Sequence, residues 1–207
     1  MNFIYLKGFI KNIRYSHTID GVNFNKADLI VKRGDGREDI LIVKFKEFCR
    51  EIKEDQQAEL IGNVRSFSQF VDGKNKVEIY VFSYLDEIQE DYPNELTNKV
   101  VLSGRICKKD SLRTTSNGKH YIHFIVANNL FIEGDQKLNS YIPCVAWGVT
   151  GKELDSKFKV GDPIYLEGQL HSREYKKRFD NGEFEIRIAH EVLATNINKE
   201  EPRQDEI

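Results

Sequence analysis

The chain has 207 residues, room for one large domain or two of about a hundred. Hydrophobic residues make up 40% and charged residues 31%, which fills a core and excludes wholesale disorder, and no run of about 18 apolar residues offers a helical membrane span. The net charge of −2 hides an uneven distribution: −3 over residues 1–98, +4 over 99–199 and −3 over 200–207. From the N-terminus, Phe3 to Ile13 reads as a strand broken at Gly8, with no basic head and long apolar core of a signal peptide. Asp20-Gly21 signals a turn, Phe24 to Lys32 a strand, and Arg33-Gly34-Asp35-Gly36 a hairpin. Ile40 to Phe45 is a β-branched run suited to a buried strand. Glu47 to Asp55 reads as a short helix, with Phe48, Cys49 and Ile52 near one face. Ala58 to Val64 is the next strand, Asp72-Gly73-Lys74-Asn75 turns a hairpin, and Val77 to Tyr84 alternates as a last strand.

An acidic, proline-containing stretch, Glu87 to Glu95, reads as a linker, and the order then repeats. Gly8 corresponds to Gly104, Asp20-Gly21 to Asn117-Gly118, and Ile40–Phe45 to Ile142–Trp147. Leu60-Ile61-Gly62 corresponds to Leu166-Glu167-Gly168, and Asp72-Gly73 to Asn181-Gly182. Strands are expected from His123 to Ala127, Tyr141 to Trp147, Ile164 to Leu170 and Phe184 to Ala189, with a helix near Gly151 to Phe158. Five strands with one short helix between strands 3 and 4 is the plan of an OB-fold, a small Greek-key barrel whose glycines let the strands coil sharply. The sequence therefore predicts an all-β chain of two tandem OB-folds: 1–88 (diverged), a linker over 89–97, 98–198, and an acidic tail over 199–207.

Catalytic and metal chemistry find little support. The three cysteines, Cys49, Cys107 and Cys144, are far apart and form no C-x-x-C, which fits a reducing cytoplasm better than a disulfide framework or a zinc site. His120 and His123 are three apart in a predicted strand and face opposite ways. No phosphate-binding loop, nucleophile elbow or H-E-x-x-H motif is present, so no enzyme activity and no cofactor is expected.

Residues 98–197 resemble the bacterial single-stranded DNA-binding proteins (SSBs). Asn98-Lys99-Val100-Val101-Leu102-Ser103-Gly104-Arg105, Leu112-Arg113 with Ser116 to Lys119, and Phe124 to Asn129 carry the resemblance. So do Tyr141 to Gly148, Lys159-Val160-Gly161, Leu166 to Leu170 and Ser172 to Tyr175. The resemblance implies binding of single-stranded DNA without strong sequence preference, in replication, recombination or repair. Aromatic rings stack on unpaired bases, and Lys and Arg neutralise phosphates. The family's stacking positions fall on Tyr141, Trp147 and Tyr175, with a fourth at Phe131 or Ile132. Phosphate candidates are Arg105, Lys108, Lys109, Arg113, Lys119, Arg173, Lys176, Lys177 and Arg178. From alternation alone, Tyr141, Val145 and Trp147 share one strand face and Ile142, Cys144 and Ala146 the other, and either face is open to be the core.

In the first copy Phe45 takes the place of Trp147, Phe67 and Phe70 lie near that of Tyr175, and Asp39 holds that of Tyr141. Lys44, Lys46, Arg65 and Lys74 are the nearby cations. This poorer set, with the acidic balance of its half, suggests weaker binding and a role in dimerisation. The resemblance implies a homodimer of four OB-folds in the cytoplasm, at the nucleoid, with possible replication or repair proteins as partners. The alternative is an OB-fold module that holds protein partners in a primosome or mobile element, its DNA binding weak or lost. RNA is a further ligand that OB-folds accept. The tail, ending in Asp205-Glu206-Ile207, lacks the family's terminal proline-phenylalanine and reads as a frayed end.

Overall fold

Alternating β-branched and aromatic residues carry most of the chain into strands. The structure, a computed structural model, describes residues 1–47, 52–71, 74–83, 95–132, 136–179 and 182–199, without the side chains of 71, 74, 75, 130–132, 136 and 137. Eleven strands and one helix lie among the described residues: β1 (Asn2–Ile19), β2 (Val22–Lys32), β3 (Glu38–Lys46), β4 (Gln57–Val71), β5 (Lys74–Ser83), β6 (Asn98–Lys109), β7 (Arg113–Thr114), β8 (His120–Ile132), β9 (Gln136–Trp147), α1 (Gly148–Lys157), β10 (Pro163–Arg178) and β11 (Phe184–Asn198). No helix among them is long and apolar enough to cross a membrane.

The pairings close two rings. In the first, β1 pairs with β2 and β4, and β3 meets β5 in parallel. In the second, β6 pairs with β8 and β10, and β9 meets β11 in parallel. The repeated glycines sit where strands cross closest. A Cβ on Gly104 would lie 2.3 Å from the Ala127 carbonyl oxygen, and one on Gly168 would lie 2.1 Å from that of Leu193. Gly8 and Gly62 make the same approaches to Ile30 and Phe82 in the first ring. The Asp20-Gly21 turn also forms as expected, with φ of 49° and 77°, the left-handed backbone that a two-residue hairpin turn of this hand needs.

The strands run further than periodicity predicts. β10 and β11 stay paired from Tyr165 opposite Asn198 out to Arg178 opposite Phe184, so they form a long arm whose outer part leaves Phe184, Ile186 and Ile188 exposed. α1 starts at Gly148 and buries Gly151 and Leu154. In the first half, residues 48–51, with Phe48 and Cys49, lie outside the described residues, and Glu47 and Ile52–Asp55 are in turns or irregular backbone.

The structure corrects the correspondence between the halves by one residue. Gly8 approaches Ile30, which pairs with Ile40; Gly104 approaches Ala127, which pairs with Tyr141. The counterpart of Tyr141 is therefore Ile40, that of Ser140 is Asp39, and that of Trp147 is Lys46. Phe45, expected on the outer face, matches Ala146 and is buried with Leu41 and Val43. A slip of one residue exchanges the two faces of a strand.

The halves meet through β1 and β6. Asn2 pairs with Leu102 and Leu6 with Asn98, so Ile4 and Val100 lie at the centre of a pseudo-two-fold. Two buried asparagines mirror each other across it. Asn2 Nδ2 donates to Val64 O at 2.8 Å, and Val64 N donates back to Asn2 Oδ1 at 2.9 Å. Asn98 does the same with Leu170, at 2.7 and 3.0 Å. Each long hairpin also reaches the opposite ring: Tyr141 N donates to Ser66 Oγ at 2.7 Å, and Ile40 N to Ser172 Oγ at 2.9 Å.

Charge breaks this symmetry. Asp39 is fully buried and accepts from Arg33 Nε at 2.8 Å, from Arg33 Nη2, from His171 Nδ1 at 2.8 Å and from Ser172 N at 2.6 Å. Its counterpart Ser140 accepts a 3.4 Å contact from Ser66 N and carries no charge. Burial works against ionisation of Asp39, but the bonds from His171, Arg33 and Ser172 prevail and hold its carboxyl well below the usual range.

This packing makes stability depend on pH. Asp39 is depressed in the folded state, so its contribution is complete above the unfolded carboxylate value of about 4 and is lost as pH falls below it. Denaturant titrations from pH 7 to pH 2 should show wild-type stability falling below about pH 4. Asp39→Ala should lose about 3–5 kcal/mol at pH 7 and lack that component of the acid loss. Gly168→Ala should lower the melting temperature, at a cost of about 1–3 kcal/mol from the forced shift against Leu193, whereas an alanine at the open Gly34 should cost far less.

Candidate nucleic-acid interface

The outer face of the second ring is built by strand alternation. On β9, Ile142, Cys144 and Ala146 point into the core, and Tyr141 and Trp147 point outward, 54% and 41% exposed. Tyr141 and Trp147 are therefore not core filler, although Val145 on the same strand face is buried. The two stand six positions apart on extended chain, about 20 Å. Trp147 pairs across the sheet with Tyr121, and their rings stack at 4.9 Å between centroids, 27° from parallel. His123 meets the Tyr121 ring edge-on at 5.5 Å, and its Nδ1 lies 3.7 Å from Glu191. Glu191 in turn holds Arg173 Nε at 3.5 Å, and the Arg173 guanidinium lies 6.0 Å from the Tyr175 ring. Tyr175 is 38% exposed, on the arm opposite Arg187.

Sequence reasoning misses Tyr121 and His123. Their signal is the alternation Tyr121, His123, Ile125 against the buried Ile122, Phe124 and Val126. The expected strand begins only at His123, which leaves Tyr121 outside it. Phe131 and Ile132 lie in β8, opposite Lys137 and Gln136, but their side chains are outside the described residues.

The predicted cations separate into groups. Arg113 pairs in register with Tyr121, beside the Trp147 stack, and lies 3.7 Å from Asp110. Lys119 is exposed in the neighbouring turn. Lys108 is exposed, 3.8 Å from Asp110, and Arg105 donates to Gly161 O at 3.1 Å. Lys176 and Lys177 lie over Phe184 and Phe179, at 4.9 and 5.9 Å, and Arg178 is exposed near the arm's tip. Lys109 is a correction: it is largely buried, and its ammonium donates to the carbonyls of Asp155 at 2.9 Å and Phe158 at 2.8 Å, satisfying the end of α1.

On the equivalent face of the first ring two positions, Lys44 and Phe24, are already engaged within the ring. Lys44, the counterpart of Val145, is 8% exposed, with its ammonium 3.9 Å from the Tyr80 ring, 5.9 Å from Phe67 and paired with Glu78. Arg65 lies over Phe82 at 4.2 Å. Phe24, the counterpart of Tyr121, is buried against His17, stacked at 4.9 Å and 5°. Burial, and then Lys44, lower the His17 pKa. Lys46 is exposed where the second ring has Trp147, and the side chain of Lys74 is outside the described residues. Phe67 and Phe70 are exposed, at 52% and 72%, but alternation puts them on opposite faces of β4.

Residues 97–198 match the model of the single-strand binding protein family. The single-stranded DNA-binding protein of Halalkalibacterium halodurans is 30% identical over 110 residues, 52% of this chain and 63% of that protein. That of Bacillus cereus is 31% identical over 111 residues, 52% of this chain and 62% of the relative. The chain thus spans about three-fifths of these relatives' length. The crystal structure of the wild-type single-stranded DNA binding protein from Thermus aquaticus aligns with 99% of this chain and 96% of its own, with a TM-score of 0.71 and 19% identity, a likeness of fold across both halves. Residues 97–198 are therefore similar to the single-strand binding protein family over just under half of the chain.

Proposed function

We propose that the chain binds single-stranded DNA without strong sequence preference and performs no catalysis, serving replication, recombination or repair. The observation that carries this reading is the outward pair Tyr141 and Trp147 on β9, exposed while the three residues alternating with them are buried. Rings held open on a rigid sheet offer flat faces to unpaired bases, and stacking needs no particular base. Arg113, Lys119 and Arg173 stand near the aromatic face to meet phosphates, with Tyr175 continuing it along the arm.

In this reading each ring is an OB-fold, residues 1–88 and 98–198, joined by a linker over 89–97 and followed by an acidic tail over 199–207. The second barrel is the main binding face. In the first, Lys44 is held by Tyr80, Phe67 and Glu78 and Phe24 is buried against His17, which supports a lesser share in binding and a structural role. Two chains assemble as a homodimer of four barrels, in the cytoplasm at the nucleoid.

The test is a titration of the full chain with oligo(dT), following Trp147 emission at several salt concentrations beside a duplex control. Strong quenching, affinity that falls as salt rises, and little response to duplex are the expected results. Tyr141→Ala and Tyr175→Ala should each weaken binding by about 1–3 kcal/mol with the melting temperature unchanged. No binding at low salt would overturn the reading in favour of a protein-interaction module.

A further inference from the structure

The turn Arg33-Gly34-Asp35-Gly36-Arg37 belongs to the first ring, yet it stands over the outer face of the second. With Val145, Trp147 and Arg173 it bounds a cleft of about 840 Å³ between the two. Its placement is not loose. Arg33 N donates to Arg37 O at 2.8 Å, closing the turn, and the Arg33 side chain holds both Asp39 and the carbonyl oxygen of Ser172 on β10, the latter at 2.8 Å. His190 Nε2 donates to Ile40 O at 2.7 Å from β11, fixing the same strand a few residues on. The buried Asp39 cluster thereby pins this turn against the second ring.

Arg37 sits differently. Its side chain is 71% exposed, and among the described residues its guanidinium bonds within the turn, to Asp35, at 2.8 and 2.5 Å. An exposed pair of this kind contributes little, so exchanging Asp35 for a phosphate costs little. Glu38, Glu174 and Glu191 also line the cleft and outnumber Arg33 and Arg173 there by one charge. That excess of carboxylates repels a phosphate from the cleft itself and leaves it to the exposed Arg37, while an uncharged base is admitted. Trp147 has one face on Tyr121 and also lines this cleft.

We propose that this turn of the first ring is a wall of the second ring's single-strand site: a base lies against Trp147 inside the cleft, and Arg37 takes its phosphate from the rim. Arg33 is a positioning residue that reaches the strand only through the turn it anchors. This rests on the single-stranded DNA reading and extends it, since the first ring then contributes to binding without offering a stacking face of its own.

The full chain is titrated with oligo(dT) as wild type, Arg37→Ala and Arg37→Lys, over a range of salt concentrations. Arg37→Ala removes one cation from a phosphate, so it should bind roughly threefold to tenfold more weakly at low salt, and its slope of log K against log salt should flatten by about 0.7. Arg37→Lys should recover the slope. Arg37 is exposed, so the melting temperature should not move, and a merely structural role would leave the slope unchanged. Wild-type binding with Trp147 quenching, but the same affinity and slope in Arg37→Ala, would overturn the wall and leave the DNA reading intact. No binding by the wild type would overturn both.

Discussion

The arrangement of the molecule depends on one antiparallel pairing, β1 against β6, centred on Ile4 and Val100. Strand edges carry unpaired backbone groups, and here each barrel covers an edge of the other. The buried side chains of Asn2 and Asn98 extend the arrangement by imitating a peptide group, each exchanging two hydrogen bonds with the backbone of Val64 or Leu170. Buried amides of this kind are satisfied only in one register, so they select it as well as stabilise it. With that register set, Ser66 and Ser172 fall opposite Tyr141 and Ile40, and each hairpin arm is tied to the other barrel.

On this symmetric backbone the side chains have taken unequal roles. Where the second barrel has Tyr121, the exposed Trp147 and the buried Val145, the first has Phe24, Lys46 and Lys44. Lys44 is caged by Tyr80 and Phe67 and neutralised by Glu78, so it meets groups of its own barrel, and Lys46 stays exposed. The same inequality marks the junctions. One is the neutral Ser66–Ser140 contact, and the other is the charged cluster of Asp39, Arg33 and His171. The charged junction holds the Arg33–Arg37 turn beside Trp147, which places part of the first barrel within the second barrel's territory.

Much of this is legible in the sequence, for identifiable reasons. The glycines and the Asp20-Gly21 turn are visible because close backbone approach and left-handed φ restrict residue type locally. The outward aromatics Tyr141, Trp147 and Tyr175 are reached through resemblance, and their exposure needs the structure. Register between the copies is not legible: Phe45 and Lys46 are adjacent, and only the pairing partners decide which of them matches Trp147. Asp39 looks like a failed stacking position because its partners, His171 and Ser172, are more than 130 residues away. Lys109 looks like any surface lysine because the carbonyls it satisfies belong to a helix some 45 residues on.

The central claim, that a single strand lies on the outer face of the second barrel, is tested most directly by photo-crosslinking. The full chain would be irradiated with oligo(dT) carrying 5-iodouracil, and the attached peptides mapped by mass spectrometry. Crosslinks at Trp147, Tyr141 or Tyr175, with no comparable yield at Phe24 or Tyr80 of the first barrel, are the predicted result. Crosslinks concentrated on the first barrel's face, with Trp147, Tyr141 and Tyr175 unmodified, would contradict it.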